Sequence, residues 1–113
     1  MSLRNLSTEP TFMPMPLPQD WVLEGSPDPT GAVIVRSPDG SQTSGIWSCQ
    51  LGSFRYEFKK HETAHILEGE AEIQELGGES YTIRAGDVVH FPRGLATIWK
   101  VAIPIRKIFF LVE

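Results

Sequence analysis

The sequence has little of several features that mark particular classes of protein. It contains a single cysteine, Cys49, so no disulfide can form within the chain, and no cysteine–histidine spacing suits structural zinc. No apolar run approaches the roughly 20 residues that cross a membrane, and the first residues lack the apolar core of a signal peptide. These absences predict a cytoplasmic protein in a reducing compartment.

Positive charge is not in excess either. Ten Lys and Arg residues against fourteen Asp and Glu residues give a net charge of −4, and the densest basic cluster is the pair Lys59-Lys60. Nucleic acids and anionic membranes bind clustered basic residues, so neither is an expected partner. The chain has 113 residues, of which 41% are hydrophobic and 21% charged. That composition is typical of a globular domain with one hydrophobic core.

Proline, by contrast, is concentrated at the start of the chain, at positions 10, 14, 16 and 18. Proline fixes φ and removes a backbone donor, so residues 1–20 are predicted to form an extended arm rather than a helix or a central strand. Two alternatives remain open: the arm is disordered, or it lies along the rest of the chain. In the second case its contacts would come from Phe12, Met13, Met15 and Leu17.

From residue 31 onward, short apolar runs alternate with turn signals roughly every eight to twelve residues. The predicted strands span residues 32–36, 44–50, 54–59, 63–67, 71–76, 79–83, 88–91, 96–101 and 105–112. Gly77-Gly78 is the clearest two-residue hairpin signal, and Glu68-Gly69 is another predicted turn. No segment keeps a helical period over three turns. Many short strands predict an all-β sandwich or barrel, in a single domain over residues 21–113.

Two runs in this region have a motif-like spacing. The first extends from Glu62 to Gly69, and the second contains Gly86-Asp87 and Phe91-Pro92-Arg-Gly94. Around them lie Gly45-Ile-Trp47, Gly52-Ser-Phe54, Trp99-Lys-Val101 and Arg106-Lys107. This combination, over about residues 45–110, resembles the small cupins of the ureidoglycine aminohydrolase cupin-domain family. The resemblance implies a double-stranded β-helix, the jelly-roll barrel of cupins, and a homodimer.

The resemblance also implies that this chain lacks the histidine ligands of the usual cupin metal site. Metal-binding cupins hold a divalent transition metal with three histidines and a glutamate. Here Glu62 has the place of the glutamate, but Tyr56, Phe58 and Thr97 have the places of the histidines. One carboxylate with only a phenol and a hydroxyl beside it makes a poor site for iron, zinc or manganese at neutral pH. We therefore expect no cofactor, with Mn²⁺ or a similar metal as the alternative if His65 or His90 supplies a nitrogen ligand.

The predicted site is a small-molecule cavity in the mouth of the barrel. Alternation places Tyr56 and Phe58 on one inward aromatic face. The cavity is predicted to be lined by Tyr56, Phe58, Glu62, His90, Thr97 and Trp99. A glutamate among aromatic rings suits a general acid or base, which makes Glu62 the candidate catalytic residue.

Several of these residues have a second interpretation. Glu62 can instead be a structural partner of Lys60 or Arg106, and His90 can be a core residue instead of an acid or base. Alternation places His65 on the face opposite Glu62. Arg106 and Lys107 either reach an anionic ligand or lie solvated on the outer sheet.

Three functions follow from this sequence. The favoured one is a metal-independent cupin that binds a small polar or nitrogenous ligand. The second is a metal-dependent enzyme resembling ureidoglycine aminohydrolase, which would use the metal as a Lewis acid. The third is a non-catalytic partner domain. Fold alone does not decide among them.

Overall fold

Nine β-strands and one short 3₁₀ helix make up the secondary structure of this computed structural model, which describes residues 3–5 and 11–113. The strands are β1 (Met13–Pro14), β2 (Val22–Gly25), β3 (Thr30–Arg36), β4 (Gln42–Cys49), β5 (Gly52–Glu57), β6 (His61–Glu75), β7 (Ser80–Arg84), β8 (Val88–Phe91) and β9 (Ala96–Val112). The 3₁₀ helix, Gln19–Trp21, lies between β1 and β2. Within the described ranges no helix is long and apolar enough to cross a membrane.

The two longest strands, β6 and β9, organise the sheet because each pairs along most of its length with the other. The first part of β9 also pairs with β5, and its last part pairs with β4. The first part of β6 pairs with β8, and its last part with β7. β1 and β3 extend the sheet beyond β4, and β2 extends it beyond β5. The two halves curl over one core, which gives the predicted all-β jelly-roll barrel.

The predicted turn at Glu68-Gly69 is wrong. The chain continues through it as one strand, β6, whose pairing with β9 shifts register around Glu68 and Glu70. Gly69 has φ +96°, and a Cβ at this position would overlap the carbonyl oxygen of Pro104 on β9. The glycine therefore marks an irregularity where two strands approach closely at a barrel corner, and not the end of a strand.

At the same corner, two other predicted strands also form one continuous strand. Residues 96–101 and 105–112 belong to one strand, β9, with Pro104 inside it. The predicted hairpin at Gly77-Gly78 does join β6 to β7, although the connection covers residues 76–79 and is longer than two residues. The amide of Glu75 donates to the carbonyl of Glu79 across it, at 3.0 Å.

Large aromatic side chains from both halves fill the core. Trp99 on β9 stacks on Phe54 of β5, with ring centroids 5.6 Å apart, and meets the edge of Trp47 on β4 at 6.0 Å. Phe58 and Phe91 stack at 4.3 Å. These rings dominate the buried apolar area, which makes them the main stabilising contacts of the fold.

The described part of the N-terminal arm lies along the barrel. Met13 pairs with Gly31 at the edge of β3, and the amide of Met15 donates to the carbonyl of Pro29 at 2.9 Å. Met15 and Leu17 pack against the core. Proline is tolerated at such an edge because its missing donor faces away from the sheet. Pro10 lies outside the described residues.

Candidate functional site

A cavity of about 570 Å³ opens between the arm and the barrel interior. Residues 15–18 of the arm cover it, and the aromatic rings of Trp47, Tyr56 and Phe58 form much of its wall. Its floor contains Glu62 and Lys107. The volume lies within the range of about 300–1,000 Å³ that is typical of small-molecule sites.

Glu62 and Lys107 form a buried ion pair. The Lys107 ammonium donates a hydrogen bond to Oε2 of Glu62, and each residue is only 4% exposed. Period-two alternation places Lys107 on the inward face of β9 with Ile105 and Phe109, while Glu62 enters from the start of β6. Two charges removed from water stabilise a fold little in total, but either one alone would be strongly destabilising.

Three aromatic rings surround the Lys107 ammonium. Its Nζ lies 4.7 Å from the ring centroid of Trp47, 5.4 Å from that of Trp99 and 5.8 Å from that of Phe91. The negative faces of aromatic rings attract a cation, by about 0.5–2 kcal/mol for each favourable contact. The rings and Glu62 together therefore hold a positive charge at the cavity floor.

Three of the six residues predicted for the site line this cavity, and two more lie directly behind it. The three are Tyr56, Phe58 and Glu62. Thr97 donates to the backbone carbonyl of Tyr56 at 2.8 Å and accepts from Nε1 of Trp99 at 3.1 Å. Both residues are fully enclosed, so they position the cavity wall rather than offer atoms to a ligand.

His90 does not line this cavity. On β8 the inward positions belong to Val89 and Phe91, so His90 points to the outer face, where it is exposed. There its Nδ1 lies 3.1 Å from the hydroxyl of Thr63, and its ring stacks on that of His61. Because β8 is apolar at three of its four positions, alternation alone did not reveal its inward face.

The residues at the cupin metal position do not fit a divalent transition metal. Phe58 has no ligand atom, the hydroxyl of Thr97 is already hydrogen-bonded, and the carboxylate of Glu62 is bound to Lys107. Burial, reinforced by the negative charge of Glu62, raises the pKa of Tyr56 to about 12, which disfavours a phenolate ligand. Over the described ranges no group of three His, Cys, Asp or Glu side chains could hold a metal ion.

His65 does not change this assessment. Its side chain is exposed, whereas Glu62 is buried, as the alternation of β6 predicted. With His65 and His90 both on the outside of the barrel, neither provides the nitrogen ligand on which the alternative of a Mn²⁺ site depended.

Lys107 is the site residue that sequence reasoning left undecided. Its alternation with Ile105 and Phe109 was a signal for an inward position, but Ile108 and Phe110 on the other face are equally apolar. Its neighbour Arg106 is on the outer face, where its guanidinium lies 4.8 Å from the ring centroid of Phe12. Neither Arg106 nor Lys60 is the partner of Glu62.

The jelly-roll barrel and the mouth cavity define a protein of the cupin class. The model of the EutQ-like cupin domain matches residues 36–109, and the chain belongs to this family. No curated protein matches the sequence.

Solved structures agree with this assignment. A DUF861 family protein from Thermotoga maritima is 41% identical, over 57% of this chain and 73% of that protein, with a TM-score of 0.56. The ethanolamine utilization protein Q of Salmonella typhimurium is 23% identical, over 75% and 69% of the two chains, with a TM-score of 0.66. A DUF1255 protein of unknown function from Acidithiobacillus ferrooxidans is 20% identical, over 72% and 76%, with a TM-score of 0.62. The latter two likenesses show the fold alone.

Proposed function

We propose that this protein is a small-molecule-binding cupin that acts without the usual cupin metal. The observation that carries the proposal is the ion pair of Glu62 and Lys107 at the floor of an aromatic-walled cavity. Mostly apolar walls with a few fixed polar groups are typical of ligand sites. In this site the Lys107 ammonium takes the place of a metal as the positive charge beside Glu62.

The polar groups of the cavity suit a small polar or nitrogenous ligand. The remaining N–H groups of Lys107 can donate, and the second carboxylate oxygen of Glu62 can accept. The hydroxyl of Tyr56 makes no hydrogen bond to any described residue. If the bound molecule also reacts, Glu62 is the acid or base at the floor of the cavity that would act on it.

Relationship to ureidoglycine aminohydrolase is a weaker proposal. The motifs resemble that family, but a reaction that depends on Mn²⁺ needs ligands that these side chains do not supply. Small ureido acids therefore belong among the test compounds as ligands. A metal-stimulated release of ammonia from ureidoglycine would favour the enzyme over the binding protein.

The location of the protein is part of the same proposal. Cys49 is buried, and burial raises the pKa of its thiol to about 11. A thiol that is protonated and enclosed reacts slowly with oxidants and disulfides. A single cysteine, which forms no disulfide within the chain, suits a reducing compartment, and we propose the cytoplasm.

A ligand screen tests the proposed function. Small ureido acids, amino acids and amines would be added to the protein while tryptophan fluorescence and thermal stability are recorded, since Trp47 lines the cavity and Trp99 contacts Lys107. We expect at least one compound to bind, and its binding to be lost in Glu62→Gln. His90→Gln, on the outer face, is the control and should bind normally. A ligand that binds equally well to Glu62→Gln, or a barrel that binds nothing, would contradict the proposal and favour a non-catalytic partner domain.

A further inference from the structure

The entrance of the cavity is positively charged, although the protein as a whole has a net charge of −4. Among the residues that the structure describes, four cationic side chains line the cavity, against two carboxylates. The cations are Arg36, Lys59, Lys60 and Lys107, and the carboxylates are Glu57 and Glu62. A concentration of one sign of charge around a cleft raises the local concentration of ligands of the opposite sign.

Ion pairs account for some of these charges. Lys107 is neutralised by Glu62, and Lys60 lies 3.3 Å from the carboxylate of Glu113. Glu57 is paired with Arg55, which is outside the cavity, at 3.0 Å. Among the described residues this leaves Arg36 and Lys59 without a carboxylate partner.

The charges at the cavity floor also favour an anionic ligand. A cationic ligand would need the carboxylate of Glu62, which already holds Lys107 within a cage of aromatic rings. A cation at the second oxygen of this carboxylate would lie beside the Lys107 ammonium and be repelled by it. A cation that displaced this ammonium would leave it with no other carboxylate partner in the described structure. An anion meets no such competition, since the cations at the entrance are free to pair with it.

We infer that the ligand of this cavity is a small organic carboxylate with an apolar body. The apolar part lies against Trp47, Tyr56 and Phe58, and the carboxylate lies at the entrance beside Arg36 and Lys59. The inference rests on the proposed function, because it names the class of molecule that the same cavity takes. It excludes amines, which the proposed function by itself allows.

Matched compounds separate charge from shape. Benzoate, benzamide and benzylammonium share one skeleton, and hexanoate, hexanamide and hexylammonium share another. Their binding would be measured by isothermal titration calorimetry to the unaltered protein, to Arg36→Gln/Lys59→Gln, and to Lys100→Gln. Lys100 is exposed on β9 and does not line this cavity, so its replacement controls for the loss of one positive charge elsewhere on the surface.

At least one carboxylate should bind more tightly than its amide and its ammonium. Partly exposed ion pairs each contribute little to affinity, so the double variant should bind that carboxylate about three- to tenfold more weakly. The double variant should bind the amide as tightly as the unaltered protein does. Lys100→Gln should bind both the carboxylate and the amide with unchanged affinity. Added salt should weaken the binding of the carboxylate more than that of the amide.

The outcomes distinguish this inference from the proposed function. If an amide or ammonium binds as tightly as its carboxylate, or the double variant weakens all three compounds equally, the inference is overturned while the binding function stands. If no compound of either skeleton binds, and the wider screen also yields no ligand, the proposed function fails together with it.

Discussion

Lys107 and Glu62 are the charged pair at the floor of the cavity, and the proposed function depends on them. Each is charged, each is almost fully enclosed, and each is the other's partner. Burial of a charge costs several kcal/mol in a low-dielectric interior. The aromatic cage and the hydrogen bond between the two residues offset part of this cost, and the rest must be supplied by the apolar core around them.

A double-mutant cycle measures this dependence. Lys107→Met or Glu62→Gln alone should lower the free energy of unfolding by about 3–5 kcal/mol, because each leaves a buried group without its partner. The double variant should lose less than the sum of the two. Urea unfolding measures all three. A loss below about 1 kcal/mol in the single variants, as for an exposed pair, would show that the pair is solvated.

The same pair governs a test of the metal position. Elemental analysis of the purified protein should find no stoichiometric transition metal, since Tyr56, Phe58 and Thr97 replace three nitrogen ligands. Converting these three to histidine should create affinity for a divalent metal with Glu62 as the fourth ligand. Adding Lys107→Ala should increase that affinity by freeing the carboxylate, and adding Glu62→Ala should reduce it. If the folded triple variant binds metal no better than the parent, these residues do not occupy the cupin metal position.

Alternation predicted the direction of a side chain only where one face of its strand was polar, whereas Glu62, Thr97 and Trp99 were placed by motif spacing. Tyr56 and Phe58 alternate with Arg55 and Glu57, so their inward position was evident. The strands that contain His90 and Lys107 are apolar on both faces, so the sequence left their directions undecided. The direction of each depends on contacts between strands that are far apart in the chain.

At the scale of the element, the pairing of β6 with β9 shows why the ends of strands were harder to predict than the strands themselves. Glycine and proline usually end strands, and the sequence places Gly69 and Pro104 where two boundaries were expected. In the structure they face each other inside continuous strands. Most strands, the hairpin to β7 and the barrel class were predictable from local pattern and motif spacing. The corner was not, because it depends on how closely two distant strands approach.

Two glycine substitutions distinguish how much stability depends on the close approach of β6 to β9 and how much on backbone strain. Gly69 and Gly77 both have positive φ, at +96° and +78°, but a Cβ at Gly77 would meet open space. Gly77→Ala should therefore cost only the strain of the left-handed conformation, about 1–2 kcal/mol. Gly69→Ala should cost clearly more, since β6 and β9 must also separate. Thermal or urea unfolding decides, and equal losses would show that the corner tolerates a side chain.

The arm is an element whose removal should be tolerated. Deletion of residues 1–18 leaves every strand from β2 to β9 and should leave a folded barrel. We expect a loss of about 1–3 kcal/mol, because Met15 and Leu17 no longer cover apolar surface. Circular dichroism and thermal unfolding measure this directly. A truncated chain that fails to fold would show that the arm is integral to the core.

At the scale of the whole molecule, one outer face of the barrel carries two exposed apolar side chains. Phe110 on β9 is 50% exposed and Val88 on β8 is 69% exposed. Both strands pair with the first part of β6, so the two side chains lie on the same half of the sheet. Exposed apolar area of this kind is typical of surfaces that meet another protein chain.

We predict a homodimer in solution, and light scattering after size-exclusion chromatography would measure its mass. Phe110→Lys should shift the population towards monomer if this face takes part in the interface. Lys100→Gln, elsewhere on the surface, should not. A monomeric parent protein at micromolar concentration would contradict the prediction.

β9 pairs with β6 along one edge and with β4 and β5 along the other, and this arrangement affects the rate of folding. β9 follows every other strand in the chain, yet β4, β5 and β6 each pair along one edge with it. During synthesis one edge of each of these strands stays unpaired until β9 emerges. Folding that depends on contacts so distant in sequence is slow, and strands with an unpaired edge are prone to pair with other chains. The strand that closes the barrel therefore also sets how long the nascent protein needs protection from aggregation.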